Sequence, residues 1–294
     1  MKTIVKFPLS HFEEIAPVLH QCFPEFWTAR FARGERSFPY DLKLYVARRQ
    51  QEIIGTVGLH DYQFLLPAGK EGYMVTPAIG LSDLGVLPAC RNQGHAGEMQ
   101  EFVKKHVVDN RAFPMIPLYT DKPAVYRSRG WEEYLPDNSR EIQTKDFPSH
   151  DTFRIDAKKI GKALAQGKRA IPANDEERIF RSIWRIYASG ISFPGKVMRS
   201  TKTWLELFGD PAYQWRLEGN TYFLYCEGRL VEAYSSDPAH PVNNFTPVNG
   251  GHDDNKVMIN LLNDAIPPWL AEQRESLQRC LQDHSLQFPI ADTF

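Results

Sequence analysis

The densest chemistry in the chain lies in one turn, Arg91-Asn92-Gln93-Gly94-His95-Ala96. Gly94 and Ala96 leave the backbone open to close approach, Arg91 brings positive charge, and Met99, Phe102, Val103 and Val107 follow at helical spacing, so a helix begins near Gly94. The first turn of a helix presents N–H groups without partners at the positive end of its dipole, and that combination holds phosphate. The same six residues also fit a plain loop with a surface arginine, and so short a pattern does not choose between the two. A second chemical group is Tyr126, whose phenol, with an ordinary pKa of about 10, is a proton donor at neutral pH. Spacing alone favours a core aromatic on a short helix, for which Asp121 would be the N-cap and Gly130 the stop.

These groups need a scaffold. Residues 42–60, LKLYVARRQQEIIGTVGLH, put β-branched and aromatic residues on both sides of a polar Arg49-Gln50-Gln51-Glu52 tip and predict an antiparallel hairpin. Further strands are expected over 78–86 and 115–119, so strand, glycine-containing turn and helix follow one another directly around Gly94. Upstream, Ser10 and Glu13 have capping-box spacing, and Phe12, Ile15, Ala16 and Leu19 mark a first helix from about residue 11, which Pro17 should kink or divide. Pro117 falls inside the fourth predicted strand, where it has no N–H to give to a ladder.

The run Leu84-Gly85-Val86-Leu87-Pro88-Ala89-Cys90-Arg91-Asn92-Gln93-Gly94-His95-Ala96 resembles the signature of the GNAT-family N-acetyltransferases, in which a strand ends in Val-x-Pro and continues into Arg-x-x-Gly-x-Gly or Ala. The segment from Tyr119 to Trp131 resembles the second characteristic stretch of that family, a short helix that carries a tyrosine and closes with glycine and an aromatic. The resemblance implies acetyl-CoA as cosubstrate. The backbone of Leu84, Gly85 and Val86 would pair with its pantetheine arm, the amides from Arg91 through Asn92, Gln93, Gly94 and His95 to Ala96 would cradle its pyrophosphate, and Asp121 would belong to the same binding set. Tyr126 would protonate the departing CoA thiolate. It also implies a splay between the two central strands, where Pro117 would be tolerated. The expected fold is α/β (α+β): a GNAT domain with a mixed central sheet over residues 1–148, then a second, degenerate GNAT-like domain over 149–294.

That second domain is read from an echo of the first. Asn174 and Glu177 repeat the capping-box spacing, and Phe180, Ile183, Trp184, Tyr187 and Ala188 form a wide apolar face. Residues 215–234 then make a hairpin around a Glu227-Gly228-Arg229 tip, so 175–235 reads as a partial internal repeat. The segment from Pro247 to Asp254 has glycines but neither the arginine nor the spacing of the first turn, so this unit is expected not to bind CoA. A last helix is predicted over roughly 256–282. An intact unit ahead of a degenerate one is similar to the plan of the Eis-type acetyltransferases, which acetylate aminoglycosides and lysine side chains. The run from Ile191 to Ser200 with Trp204 resembles that group as well. Its sterol-carrier-like domain is expected to be missing here, and the base supplied there by the terminal carboxylate would have to be Phe294.

Composition sets the limits. With 294 residues, 42% hydrophobic and 24% charged, the chain can bury two modest cores. A formal charge of −1, with basic residues dispersed, provides no field for nucleic acid or an anionic membrane. Cys22, Cys90, Cys226 and Cys280 are too far apart for a CxxC clamp and read as free thiols, and His252 has no ligating neighbour in sequence, so no metal is expected. Pro8, His11, Glu13 and Glu14 interrupt the N-terminus too early for a secretion signal, which predicts a cytoplasmic protein. His95 and His106 read as surface or capping residues. The attacking amine needs a base, and Asp83, His60 and Glu25 border the expected cleft without any being marked. The acceptor is expected to be a small polyamine or aminoglycoside-like amine. The alternatives are a lysine in a protein or peptide, or a non-catalytic acetyl-CoA sensor. Tandem GNAT proteins also suggest assembly as a homo-oligomer through the second unit.

Overall fold

Alternation along the strands decides which helix packs where. The computed structural model describes residues 2–32, 42–68, 72–109, 115–134, 152–156, 159–160, 174–189, 196–226, 228–237, 239–240, 256–261 and 271–282. Strands β1 (Lys2–Lys6), β2 (Leu42–Arg49), β3 (Glu52–Ala68) and β4 (Gly72–Val86) form one antiparallel sheet in that order. Leu42, Leu44 and Val46 of β2 point to one face and pack with Phe12, Ile15 and Leu19 of α1 (Phe12–Cys22) and Trp27 of α2 (Pro24–Ala32). Tyr45 and Ala47 point to the other face, as the period of two requires, and pack with Val57, Leu59 and Leu81 against Met99, Val103 and Val107 of α3 (His95–Asp109).

After α3 the chain forms β5 (Met115–Thr120), α4 (Ala124–Arg127) and β6 (Glu132–Tyr134). The crossover β4–α3–β5 brings β5 alongside β4, yet no ladder joins the two among the described residues. β5 instead belongs to a second sheet whose middle strand comes from far along the chain.

The later elements are α5 (Asp175–Ser189), β7 (Lys196–Val197), α6 (Thr201–Gly209), β8 (Tyr213–Glu218), β9 (Thr221–Cys226), β10 (Arg229–Ser235), β11 (Lys256–Leu261) and α7 (Ala271–Gln282). The Asn174 cap forms as expected, its Oδ1 accepting from the Glu177 amide at 2.7 Å. Phe180, Ile183 and Tyr187 are buried on α5, but Trp184 is 49% exposed, and Ile186 takes the place expected for it in the core. The predicted hairpin is a three-stranded meander, β8-β9-β10, with left-handed glycines at both tips, Gly219 (φ 52°) and Gly228 (φ 80°). Its core is aromatic: Trp204, Phe208, Trp215, Tyr222 and Tyr234 pack together. The Arg199 guanidinium, fully buried, forms a bidentate pair with Glu232, which also accepts from the Tyr222 hydroxyl, and lies 5.0 Å from the Trp204 ring centre. That anchor fixes the segment next to it, where β7 pairs with Phe64 and Leu65 of β3 and the Met198 amide donates to the Gln63 carbonyl at 2.6 Å.

Several expectations are corrected. The residues Lys256–Leu261 are a strand, not the start of a helix: β11 lies between β5 and β6 and pairs with both, so ladder bonds from two sides outweigh its local helical spacing. Among the described residues of the predicted span, the helix is α7. The third predicted strand is longer than 78–86, because β3 and β4 continue as a paired ribbon from His60↔Gly80 to Ala68↔Gly72, through Pro67 and Pro77. Ser10 caps nothing; a 3₁₀ turn, Leu9–His11, precedes α1, and that helix continues unbroken through Pro17. β1 and α2 were not anticipated. Residues 247–254 and Phe294 lie outside the described residues.

Candidate active site

The gap between β4 and β5 is opened by a bulge. Thr56 pairs with Gly85, but Gly58 pairs with Ser82, so Asp83 and Leu84 together face Val57. Asp83 carries the conformational cost, with φ at 45°, a left-handed value that aspartate tolerates better than most side chains. The Thr56 hydroxyl donates to the Asp83 carbonyl at 2.8 Å and holds the bulge. From Ala78 to Val86 every residue of β4 is buried except Asp83 and Leu84, which are partly exposed, so the strand is open where it bulges. Gly85 is needed just beyond, since a Cβ there would come within 2.7 Å of Cys22 Cβ and Phe23 Cζ at the end of α1. A strand edge without a ladder offers backbone groups to an extended amide-bearing molecule.

This edge leads into the predicted phosphate turn. A 3₁₀ turn, Pro88–Cys90, follows β4, Asn92 (φ 60°) and Gly94 (φ 82°) adopt left-handed conformations, and α3 begins at His95. The Glu98 amide donates to the Gly94 carbonyl at 3.1 Å, so the N–H groups of His95, Ala96 and Gly97 precede the first helical bond. A Cβ built on Gly94 meets no described atom within 4 Å; the space above the turn is open. Arg91 is partly committed, its Nε donating to the Val86 carbonyl at 3.1 Å, and Gln93 reaches the Ala89 carbonyl at 3.4 Å. His95, the first residue of α3, is buried with Nδ1 3.6 Å from the Glu98 carboxylate, and His106, in its last turn, is half-buried against Tyr45 and Phe102, so of the surface and capping readings the surface one fails for both.

Tyr126 is buried on α4, its ring edge-on to Trp131 at 5.6 Å, in the core that also holds Val57, Leu59 and Val86. Burial pushes its phenol up to about 12, against the opposing hydrogen bond from the Thr120 side chain. Asp121 is not the N-cap of this helix. The N-cap is Pro123, and it is the Thr120 hydroxyl that accepts from the Lys122 amide at 2.9 Å, leaving Asp121 exposed with its carboxylate 3.4 Å from Lys122 Nζ. Gly130 does end the segment in a left-handed conformation (φ 78°). Its carbonyl and that of Arg129 both accept from Asn260 Nδ2, at 2.8 and 3.2 Å, a residue on β11 that nothing in the local sequence points to.

Of the three base candidates, two are brought together. His60 Nε2 lies 2.9 Å from Ser82 Oγ, and that hydroxyl donates to Asp83 Oδ2 at 3.0 Å. Glu25 is exposed on α2 and has no part in this chain of bonds. Ser82 was not singled out from sequence, although its place one residue before the bulge is a signal that register would have supplied.

With this geometry in place, comparison with known proteins gives a family match and several similar solved structures. Residues 4–134 match the family described as the acetyltransferase (GNAT) domain. That stretch, just under half of the chain, is similar to a GNAT acetyltransferase domain, a match that supports an N-acetyltransferase. Similar solved structures include a GCN5-related N-acetyltransferase from Kribbella flavida (13% identity, 90% of this chain and 72% of that chain, TM-score 0.51). A second, from Anabaena variabilis, is 13% identical over 90% of this chain and 74% of that one, with TM-score 0.52. Eis1 from Mycobacterium abscessus also is 13% identical over 90% and 74%, with TM-score 0.50. At such identity the likeness shows the fold, and it extends well past residue 134. No curated protein matches the chain in sequence.

Proposed function

We propose that this protein transfers the acetyl group of acetyl-CoA to a primary amine by direct attack, with Tyr126 as the general acid. The observation that carries the reading is the edge of β4, without a ladder to β5 among the described residues, open at Asp83 and Leu84 and running into the N-terminus of α3. Leu84, Gly85 and Val86 would hold the pantetheine amides. The amides from Arg91 to Ala96 would take the pyrophosphate, for which the space above Gly94 has room. Asp121 is close to Tyr126 but exposed, and its place in the binding set rests on the family resemblance alone. Tyr126, held neutral by burial, keeps its proton until thiolate forms.

The acceptor we favour is a small polycationic amine of the polyamine or aminoglycoside type, because a carboxylate, Asp83, stands at the opening. Residues 1–148 form the acetyl-CoA unit in this reading, and 149–294 a degenerate companion that returns β11 to the first. All four cysteines are free, as befits the cytoplasm, the location we assign. Among the described residues no helix is long and apolar enough to cross a membrane.

The test is thiol release from acetyl-CoA by the purified chain against polyamines, aminoglycosides and lysine peptides. Turnover with one class, lowered about 10²-fold in kcat by Tyr126→Phe with acetyl-CoA affinity unchanged, is the expected result. Preference for lysine peptides would replace the acceptor, and tight acetyl-CoA binding without turnover would replace the enzyme by a sensor.

A further inference from the structure

Register divides the gap between β4 and β5 into two sides. Opposed residues of an antiparallel pair share a face, so Gly58, His60, Ser82 and Gly80 point the same way, toward the side packed by α1 and α2. The space at Gly58 confirms it: a Cβ there would meet Ser82 Oγ at 2.5 Å, Leu42 Cδ1 at 2.7 Å and Asp83 Oδ2 at 3.0 Å. The Asp83 carboxylate therefore lies on this side as well. Tyr126 lies on the other, among Val57, Leu59, Leu81 and Val86. A carboxylate and a phenol thus serve the two sides of one gap.

Resting on the acetyl-transfer reading above, we propose that Asp83 is the general base that takes the proton of the acceptor ammonium, and that Ser82 and His60 are positioning residues for its carboxylate. Ser82 has one hydroxyl proton and gives it to Asp83 Oδ2, so His60 must donate to Ser82 from Nε2, which fixes the imidazole tautomer. His60 is 3% exposed and Ser82 8%, so the supporting pair is held in the sheet while Asp83 itself reaches the opening. The left-handed φ of Asp83 places it there, and the Thr56 bond to its carbonyl keeps it there.

The protons balance. Asp83 accepts one from the ammonium, the freed lone pair forms the N–C bond to the thioester carbonyl carbon, the C–S bond breaks with its electron pair going to sulfur, and sulfur takes the Tyr126 proton. The new amide nitrogen loses one more proton, which restores Tyr126, and Asp83 releases its own to solvent. The products are the acetylated amine, CoA thiol and one proton. A base is needed only if the acceptor arrives protonated, and this sets the experiment.

The full chain and its Asp83→Asn and Ser82→Ala variants are compared on spermidine, protonated at neutral pH, and on 2,2,2-trifluoroethylamine, largely unprotonated there, with acetyl-CoA binding followed by calorimetry. Asparagine keeps the left-handed backbone accessible. We expect Asp83→Asn to slow acetylation of spermidine about 10²-fold and that of trifluoroethylamine by at most a tenth of that factor, with acetyl-CoA binding intact and Ser82→Ala in between. Equal losses on both amines, or no loss on spermidine, overturn the base. An unaltered Ser82→Ala removes the positioning role. A wild-type chain that binds acetyl-CoA but acetylates neither amine, nor any aminoglycoside or lysine peptide of the panel above, overturns the transfer reading itself, and the base with it; the other outcomes leave that reading standing.

Discussion

Burial raises the Tyr126 phenol to about 12, the Asp121 carboxylate adds to the rise, and the Thr120 hydrogen bond opposes it. The donor role proposed for Tyr126 needs the protonated phenol, and the shift extends the range over which the phenol is protonated upward in pH. The same shift bears on stability. The folded value lies above the ordinary 10.0, so the fold holds the proton more tightly than the unfolded chain does. Its contribution is complete below the ordinary value and is lost as pH rises through the folded one. Urea midpoints of the wild type and Tyr126→Phe, measured in steps from pH 9 to above 11, should show the wild type losing more stability across the interval than the variant, which has no phenol to ionise. At this scale the residue types of the site were legible, since Arg91, Gly94 and Tyr126 stand at spacings a reader can recognise. Their partners were not. Thr120, Ser82 and Asn260 are common polar residues whose roles exist only through their neighbours, and the expected Asp121 cap does not form because the helix starts after Pro123.

At the scale of elements, β11 is the least expected piece. Its sequence, KVMINL, reads equally as a short apolar strand or the edge of a helix, and strand pairing decides it. Met258 is fully buried in the core that holds Tyr126 and Trp131, and Asn260 ties off the turn after α4. Replacing Asn260 by alanine leaves the Arg129 and Gly130 carbonyls without that donor, a loss of about 1–3 kcal/mol by urea denaturation. If the bond also places the Tyr126 helix, kcat should fall by more than KM for acetyl-CoA changes, and Asn260→Asp, with the same shape and no N–H, should behave like the alanine variant. The long β3–β4 ribbon was missed for a related reason. Pro67, Pro77 and the glycines around them signal a loop locally, whereas paired backbone on the neighbouring strand, together with β7 and the Ser276 hydroxyl bonded to the Pro67 carbonyl, holds them extended.

For the whole molecule, the two halves are interleaved: β7 joins the first sheet and β11 completes the second, so residues 4–134, the stretch that matches the acetyltransferase (GNAT) domain, lack the strand between β5 and β6. Cutting the chain after residue 148 should leave β5 and β6 without a ladder, and the fragment should show no cooperative unfolding by circular dichroism; co-expression with residues 149–294 should restore both. A fragment that folds and binds acetyl-CoA alone would show that β11 is dispensable. The residue types of the turn from Arg91 to Ala96 and of the tyrosine segment, together with the β2–β3 hairpin and α3, are local properties of side-chain type and period, and the amino-acid sequence by itself determined them. The His60–Ser82 bond beside Asp83, the Asn260 tie on the turn after α4 and the strand between β5 and β6 depend on contacts between residues 22 to 146 positions apart, and periodicity carries no information about such pairs; only tertiary packing decided them.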